Sequence, residues 1–395
     1  METQSNRGTV QFEIVTDIDA FTALHKEWET LWQSAGGTPF QLFRYCLHAL
    51  REVAIPTGAS LHCIIGRQDG RMVLAWPLIR YREYAWTTVR PLAPDISEQS
   101  EVLVGPGGDR ESLVAAAWRV LLSSCGSDII RLPMVRTGSP LHRHASAAKW
   151  QSRAEPRMIG MARLMRYGKW SEYRHALPDS FKKEQDYHQR RLLRTGESAL
   201  LIIGLDDPRS AAYVETMLEW KHQWAAKVGA DGEFFKQPYQ NFLRKMSADS
   251  LFGESFRLFI STLNGKAIAI SLVAISERTV IGMQAAYDPA QSKCSPGSLL
   301  LESILKWAFE NQRDVDFGSG DSRYKSIWTG GLGYACTDFR IAVSRWGQMA
   351  FAARALQLQY GGLRQRIAGG SLGRQLKARL GKKTDQPLGT STRGT

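Results

Sequence analysis

Polar side chains follow a predicted buried strand that ends near Asp316. Asp321, Tyr324 and Lys325 come shortly after it, and ligands of helix-flanked sheets commonly bind where strands end. Asp316 can line a substrate site there. Asp321 can take a proton from an attacking hydroxyl or amine, Tyr324 can return one to a leaving group, and Lys325 can bind phosphate. The alternative is a polar loop closed by an ion pair of Asp321 with Arg323 or Lys325.

A second group of candidates lies at the start of a predicted helix. Pro296 opens this helix at a position where proline loses no helical hydrogen bond. The free amides and positive dipole end of a helix attract phosphate, Gly297 permits close approach, and Lys293 adds charge. The candidate phosphate ligands are Lys293, Ser295, Gly297 and Ser298. The alternative is a helix start that binds nothing.

Aromatic residues provide a candidate wall for the substrate. Trp220 and Trp224 are four residues apart on a predicted helix and therefore face one way. They fit a wall for a sugar or an acyl group, and they also fit ordinary core packing. Tyr287 ends a predicted strand, where it can line an acceptor site or simply precede the turn at Asp288-Pro289.

The elements that must position these residues occur twice in the chain. In each half a strand and two helices precede a hairpin, and a strand, a helix and a short strand follow it. The hairpin turns are Asp69-Gly70 and Asn264-Gly265, and Met72–Arg80 is expected to be one strand. We predict an α/β (α+β) fold of two related units, each a mixed, mostly antiparallel sheet flanked by helices.

The predicted units leave two basic segments outside them. The first unit spans 9–165 and the second spans 197–345. A basic linker helix is expected over 166–196, and a basic tail, helical or disordered, over 346–395.

The order of elements in the second half resembles the GNAT acyltransferase fold. Ser295–Trp328 resembles the C-terminal signature of the CelD-like acetyltransferases of polysaccharide biosynthesis, which are themselves similar to the FemAB aminoacyl transferases. The matching features are Pro296-Gly297 before an apolar helix, Asp316-Phe317 at a strand end, and a Gly-Asp-x-x-Tyr-Lys pattern over 320–325. The resemblance covers about 176–345, and the first half resembles the fold only in its order of elements.

This resemblance implies an acyltransferase that uses acetyl-CoA or another acyl-CoA as co-substrate and needs no metal. The acceptor would be a hydroxyl or amine of a sugar or polysaccharide precursor, which attacks the thioester directly, with Tyr324 protonating the CoA thiolate. The loop 291–298 is a reduced form of the usual GNAT pyrophosphate loop. Two alternatives stay open: FemAB-like transfer from a charged tRNA, and a non-catalytic scaffold of a polysaccharide complex.

The charge of the chain is unevenly distributed. The 395 residues have a formal net charge of +13, yet residues 157–194 carry ten Lys and Arg against four acids, and residues 345–395 carry ten against one. Because the rest is near neutral, we do not expect a nucleic-acid partner, and the tail is expected to dock on a membrane or a complex. Scattered cysteines and the lack of a signal-peptide pattern or long apolar run predict a cytoplasmic protein, with the inner membrane face as a docking option.

Overall fold

Both halves of the chain share one order of elements: a strand and helices precede a hairpin, and at least one further strand, then a helix, a strand, a helix and a strand, follow it. The structure is a computed structural model that describes residues 9–92, 100–106, 108–150, 155–318 and 323–353. The first half contains β1 Gln11–Val15, α1 Ile18–Ala23, α2 His25–Ala35, α3 Phe43–His48, β2 Ser60–Leu61, β3 Cys63–Gln68, β4 Arg71–Trp76, β5 Leu78–Glu83, β6 Trp86–Pro91, β7 Leu103–Val104, α4 Arg110–Ser124, β8 Ile129–Arg136, α5 Pro140–Ser146 and β9 Glu155–Ala162. The second half contains α6 Trp170–Ala176, α7 Asp179–Thr195, β10 Ser198–Gly204, α8 Ser210–Val228, α9 Gln237–Ser247, β11 Phe256–Leu263, β12 Lys266–Ile275, β13 Thr279–Tyr287, α10 Pro296–Glu310, β14 Asp314–Asp316, α11 Arg323–Thr329 and β15 Gly333–Ala342.

The strands of the described residues form two sheets. The smaller has the order β1-β3-β4-β7, and the larger has the order β10-β11-β12-β13-β14-β9-β15-β8-β6-β5-β2. Neighbouring strands are mostly antiparallel, and the pairs β13–β14 and β6–β8 are parallel. The predicted fold class, tandem units of mixed sheet flanked by helices, is confirmed.

The two halves exchange their last strands. β9, which ends the first half, pairs with β14 of the second half, and β15, which ends the second half, pairs with β8 of the first. β9 and β15 also pair with each other, from Gly160 opposite Gly333 to Glu155 opposite Asp338. The larger sheet therefore contains strands of both halves, and neither half can form it alone.

The predicted hairpins are confirmed, and one predicted strand is wrong. Asp69 and Asn264 take φ values of 51° and 49° in their turns, which tight hairpins require and which Asp and Asn tolerate. Met72–Arg80 is two strands rather than one, because Pro77 has no N–H to donate between β4 and β5. β4 lies in the smaller sheet and β5 in the larger.

An aromatic core joins the halves on the helix side. The Tyr45 ring of α3 stacks on Phe256 of β11 at 5.7 Å between centroids, and it meets Phe242 of α9 edge-on at 5.1 Å. All three rings are fully buried or nearly so. Burial of this size is the main favourable term in folding, so the halves stabilise each other through this core as well as through their strands.

The segment predicted as a linker helix is two helices, α6 and α7. Arg174 of α6 donates to Asp186 of α7 at 2.6 Å and to Glu302 of α10 at 2.8 Å. This guanidinium therefore holds α6 and α7 against α10, the helix whose start was singled out in the sequence.

Candidate functional site

A cleft opens where β13 separates from β14. The parallel pairing ends with Ile281 opposite Asp316, while β13 continues to Tyr287. An extra residue, Met283, also bulges from the pairing of β13 with β12. Past Ile281, the edge of β13 that faced β14 has no strand beside it in the described part of the chain. Its peptide groups therefore border a cavity of about 620 Å³.

The cavity collects most of the residues singled out in the sequence. It is bounded by β13, by the end of β14, and by the first turns of α10 and α11. The predicted site residues that line it are Tyr287, Ser295, Gly297, Ser298, Asp316, Tyr324 and Lys325. Asp321, the predicted base, lies outside the described residues. Its catalytic role, like the roles of the lining residues, stays a prediction.

The start of α10 has no side-chain cap. Ser295 stands at its N-terminal boundary with φ 46° and ψ 49°, and its hydroxyl makes no capping hydrogen bond. Gly297 packs against Tyr287, where an added Cβ would lie 3.3 Å from the ring. The positive end of α10 therefore remains available to an anion at the cavity wall.

Helix α7 supports this wall from outside. The Gln185 side-chain amide donates to the Ser298 hydroxyl at 2.6 Å, and His188 Nε2 shares a hydrogen bond with the Ser295 hydroxyl at 3.3 Å. Because Gln185 is buried, the contact fixes α7 against α10. Both serines thus belong to the frame of the cavity as well as to its lining.

The equivalent helix of the first half is closed by its own carboxylate. Asp109 caps α4 by accepting from the Glu111 amide at 3.0 Å, and a hydrogen bond from the Ser112 hydroxyl lowers the pKa of Asp109. A smaller cavity of about 320 Å³ beside it is lined by Glu101 and Arg110, among others. Of these two equivalent helices, α4 begins with a side-chain cap and α10 does not.

Asp316 connects the cavity to the exchanged strands. Its carboxylate is 2% exposed and accepts from the Gly318 amide at 2.8 Å and from the Tyr334 hydroxyl of β15 at 2.6 Å. The Arg136 guanidinium lies 4.9 Å above the Tyr334 ring. Burial, reinforced by the negative charge of Asp316, raises the pKa of the Cys336 thiol to about 12. The end of β14 is thus positioned by residues from both halves.

Lys221 is a cavity residue that sequence reasoning missed. Its ammonium lies 5.6 Å from the Trp224 ring centroid and 5.8 Å from that of Phe234, and it lines the cavity. Burial lowers the pKa of Lys221. The signal was its position three residues before Trp224, which places both on one helix face.

The other predicted residues lie beside the cavity rather than in its lining. Trp220 is half-buried and packs on the aromatic core, Trp224 is exposed next to Lys221, and Lys293 is exposed in the helical turn Pro289–Cys294. Their roles in substrate or phosphate binding stay predictions.

Within the described residues, no group of three or more His, Cys, Asp or Glu side chains is arranged to hold a metal ion. The five cysteines are free and buried. Across the same residues, no helix has the length and hydropathy that crossing a membrane requires.

Comparisons with known proteins support one family for the second half. Residues 179–326, which include every cavity-lining residue, match the model of the acetyltransferase (GNAT) domain family. The second half therefore carries a GNAT-type domain. No curated protein matches the chain.

Solved structures resemble the whole tandem arrangement at low sequence identity. FemX is 12% identical with a TM-score of 0.58, covering 86% of this chain and all of FemX. A conserved protein of unknown function from Bacteroides thetaiotaomicron is 11% identical with a TM-score of 0.50, covering 84% of this chain and all of that one. A tandem GNAT protein of the clavulanic acid pathway is 13% identical with a TM-score of 0.47, covering 85% of this chain and 99% of that one. The likeness to the first two concerns the fold, and the CelD-like resemblance stays a prediction.

Proposed function

We propose that the protein is an acyltransferase that moves an acyl group, acetyl in the simplest case, from acyl-CoA to a sugar or polysaccharide precursor. The observation that carries this proposal is the cleft between β13 and β14, which leads to the uncapped start of α10. Both features border one cavity, and the equivalent helix α4 of the first half is capped. Together they fit a donor that is extended and amide-rich at one end and phosphorylated at the other.

The residues of the cleft fit acyl-CoA in two ways. The unpaired edge of β13 offers N–H and C=O groups that can bond the amides of the donor's pantetheine arm, as a neighbouring strand would. The start of α10 can attract the pyrophosphate through its dipole and the Gly297 amide, since Pro296 has no N–H and the Ser298 amide donates to Ser295 O at 3.0 Å. Lys325, at the cavity wall, can add positive charge.

The proposed chemistry needs positioning and two proton transfers. Acyl-CoA supplies an activated thioester carbonyl, which the acceptor hydroxyl or amine attacks directly. Tyr324 Oη gives a proton to the departing sulfur, and Asp321 or Lys221 Nζ takes the proton of the attacking group. Lys221 suits this role because burial lowers its pKa, so that a larger fraction of its amine is neutral at a given pH.

Titration calorimetry with acetyl-CoA and a transfer assay with polysaccharide-precursor sugars test the proposal. Tyr324→Phe is expected to keep acetyl-CoA binding and to lower turnover by about 10²–10⁴-fold. Tyr187→Phe, on the exposed face of α7, is the matched control and should behave as wild type. No acetyl-CoA binding at millimolar concentration would contradict the proposal. Salt-sensitive binding of charged tRNA in its place would favour FemAB-like transfer.

A further inference from the structure

An exposed aromatic surface lies away from the cavity, where the β5–β6 turn of the first half meets the helical segment that follows β15. Tyr84, in the turn between β5 and β6, is 89% exposed. Trp86 lies 6.2 Å from Trp346, measured between ring centroids. Trp346 is 46% exposed, and Met349, in the same helical segment at 345–353, is 56% exposed. We call Tyr84, Trp86, Trp346 and Met349 the aromatic surface.

Reciprocal hydrogen bonds hold this surface together. Trp86 Nε1 donates to the carbonyl oxygen of Trp346 at 3.0 Å, and Trp346 Nε1 donates to the carbonyl oxygen of Ala85 at 3.2 Å. Because both indole N–H groups are satisfied within the protein, the area that the indoles expose is apolar. Leaving apolar area in water is unfavourable, and large apolar patches on a protein surface commonly mark contact sites.

The backbone of Tyr84 indicates that its ring serves something other than folding. Its φ is 57°, in the left-handed region where glycine is favoured and a bulky side chain is strained. The ring gains little packing, since it is almost fully exposed. Strained residues that contribute little to the fold are candidates for a functional contact.

Positive charge surrounds the aromatic surface. Arg82 and Arg345 are exposed next to it, and Glu83, the acid of the same turn, is neutralised by Arg340 at 3.3 Å. Residues 354–395, which follow the helical segment directly, carry nine Lys and Arg residues and one acid. A partner must therefore accept apolar rings and a dense positive charge side by side.

We propose that the aromatic surface lies on an anionic lipid bilayer, with residues 354–395 attracted to its headgroups. Tyr and Trp rings at headgroup level, flanked by Lys and Arg, are the usual composition of a membrane-interface contact. A bilayer offers an apolar phase and negative charge together, whereas a double-stranded nucleic acid offers mainly the charge, because its base faces are stacked inside. This inference does not depend on the proposed acyltransferase activity.

The position of the surface leaves the cavity accessible. In the larger sheet, β5 and β6 are separated from β14 by β8, β15 and β9. A bilayer at the β5–β6 turn would therefore lie three strands away from β14 and the cleft beside it.

Flotation of the full chain with vesicles tests this inference. Phosphatidylcholine vesicles that contain phosphatidylglycerol should carry the protein upward, pure phosphatidylcholine vesicles should not, and added salt should weaken the binding. Tyr84→Gly should lower the affinity for the anionic vesicles by about threefold or more, because an inserted ring is lost. Its melting temperature should stay the same or rise, because glycine relieves the strained turn. Tyr187→Ala, an exposed tyrosine of α7, should bind as wild type.

Further variants separate the rings from the charge. Met349→Ala should weaken vesicle binding in the same way as Tyr84→Gly, and a chain that ends at residue 353 should lose most of it. Wild-type vesicle binding by Tyr84→Gly and Met349→Ala together would overturn the inference. So would failure of the wild-type chain to float, or a dimer in sedimentation that Tyr84→Gly dissociates.

Discussion

Lys221 lies at the cavity beside the rings of Trp224 and Phe234. Its replacement should affect the stability of the protein and the rate of transfer in different ways. Burial lowers its pKa, so the folded state binds a proton less tightly than the unfolded state does. Lys221→Met should therefore be at least as stable as wild type at neutral pH, with the difference shrinking as pH rises toward the ordinary lysine value of about 10.4. Thermal unfolding at a series of pH values measures this.

The same variant has a kinetic signature. If Lys221 takes the proton of the acceptor, wild-type transfer should accelerate as pH rises through the lowered pKa, and Lys221→Met should lose that rise together with about 10²-fold or more of the rate. Lys227→Met, on an exposed lysine of the same helix α8, should change neither. A wild-type pH–rate profile for Lys221→Met would leave Asp321 as the base.

Lys221 and Asp316 also show how far single residues could be identified from the sequence. Asp316 was found because it ends a strand, and strand ends are where sheets bind ligands. Lys221 looked like one more surface lysine, since its surroundings include Phe234, a ring outside its own helix. The local sequence pattern thus identified residues whose position depends on a single strand or helix. It missed a residue whose environment is formed by two elements.

At the scale of the elements, helix α10 begins without a side-chain cap. A negatively charged side chain placed there can therefore occupy the position expected for a phosphate. Ser298→Asp would place a carboxylate in the first turn, where α4 has Glu111. It should stabilise the helix by roughly 0.3–1 kcal/mol and lower acyl-CoA affinity at least about tenfold, because the negative end of the donor is then repelled. Ser298→Asn, without the charge, should retain most of the binding. Equal acetyl-CoA affinity of the Asp and Asn variants in calorimetry would show that phosphate does not bind at this helix.

Element prediction succeeded where the signal was local. Asp69-Gly70 and Asn264-Gly265 fixed their hairpins because few other residues take positive φ cheaply. The separation of β13 from β14 had no such signal, since it depends on which strands meet after the chain has folded. The cleft therefore became visible only in the structure, although the residues around it could be named beforehand.

At the scale of the whole molecule, the repeat was readable and the exchange of strands was not. Similar element orders in the two halves predicted two similar units. Pairing of β9 with β14 joins segments about 150 residues apart, and nothing in the sequence of β9 favours that partner over a strand of its own half. The matched family region, 179–326, contains the cavity and lacks both exchanged strands.

A chain divided between Gly168 and Lys169 tests how much the cavity depends on the exchange. Without the first half, β14 loses its neighbour β9, β15 loses both of its neighbours, and Phe256 loses the Tyr45 ring. Exposed strand edges favour aggregation, so neither piece alone should unfold cooperatively, whereas the co-expressed pieces should associate and bind acetyl-CoA. The intact chain should melt in one transition by both circular dichroism and calorimetry. If residues 169–395 alone folded and bound acetyl-CoA, the second half would form its binding site independently. The strand exchange would then only connect the two halves. Dependence on the pair would instead show that the first half, through the pairing of β9 with β14, holds Asp316 in place at the cavity.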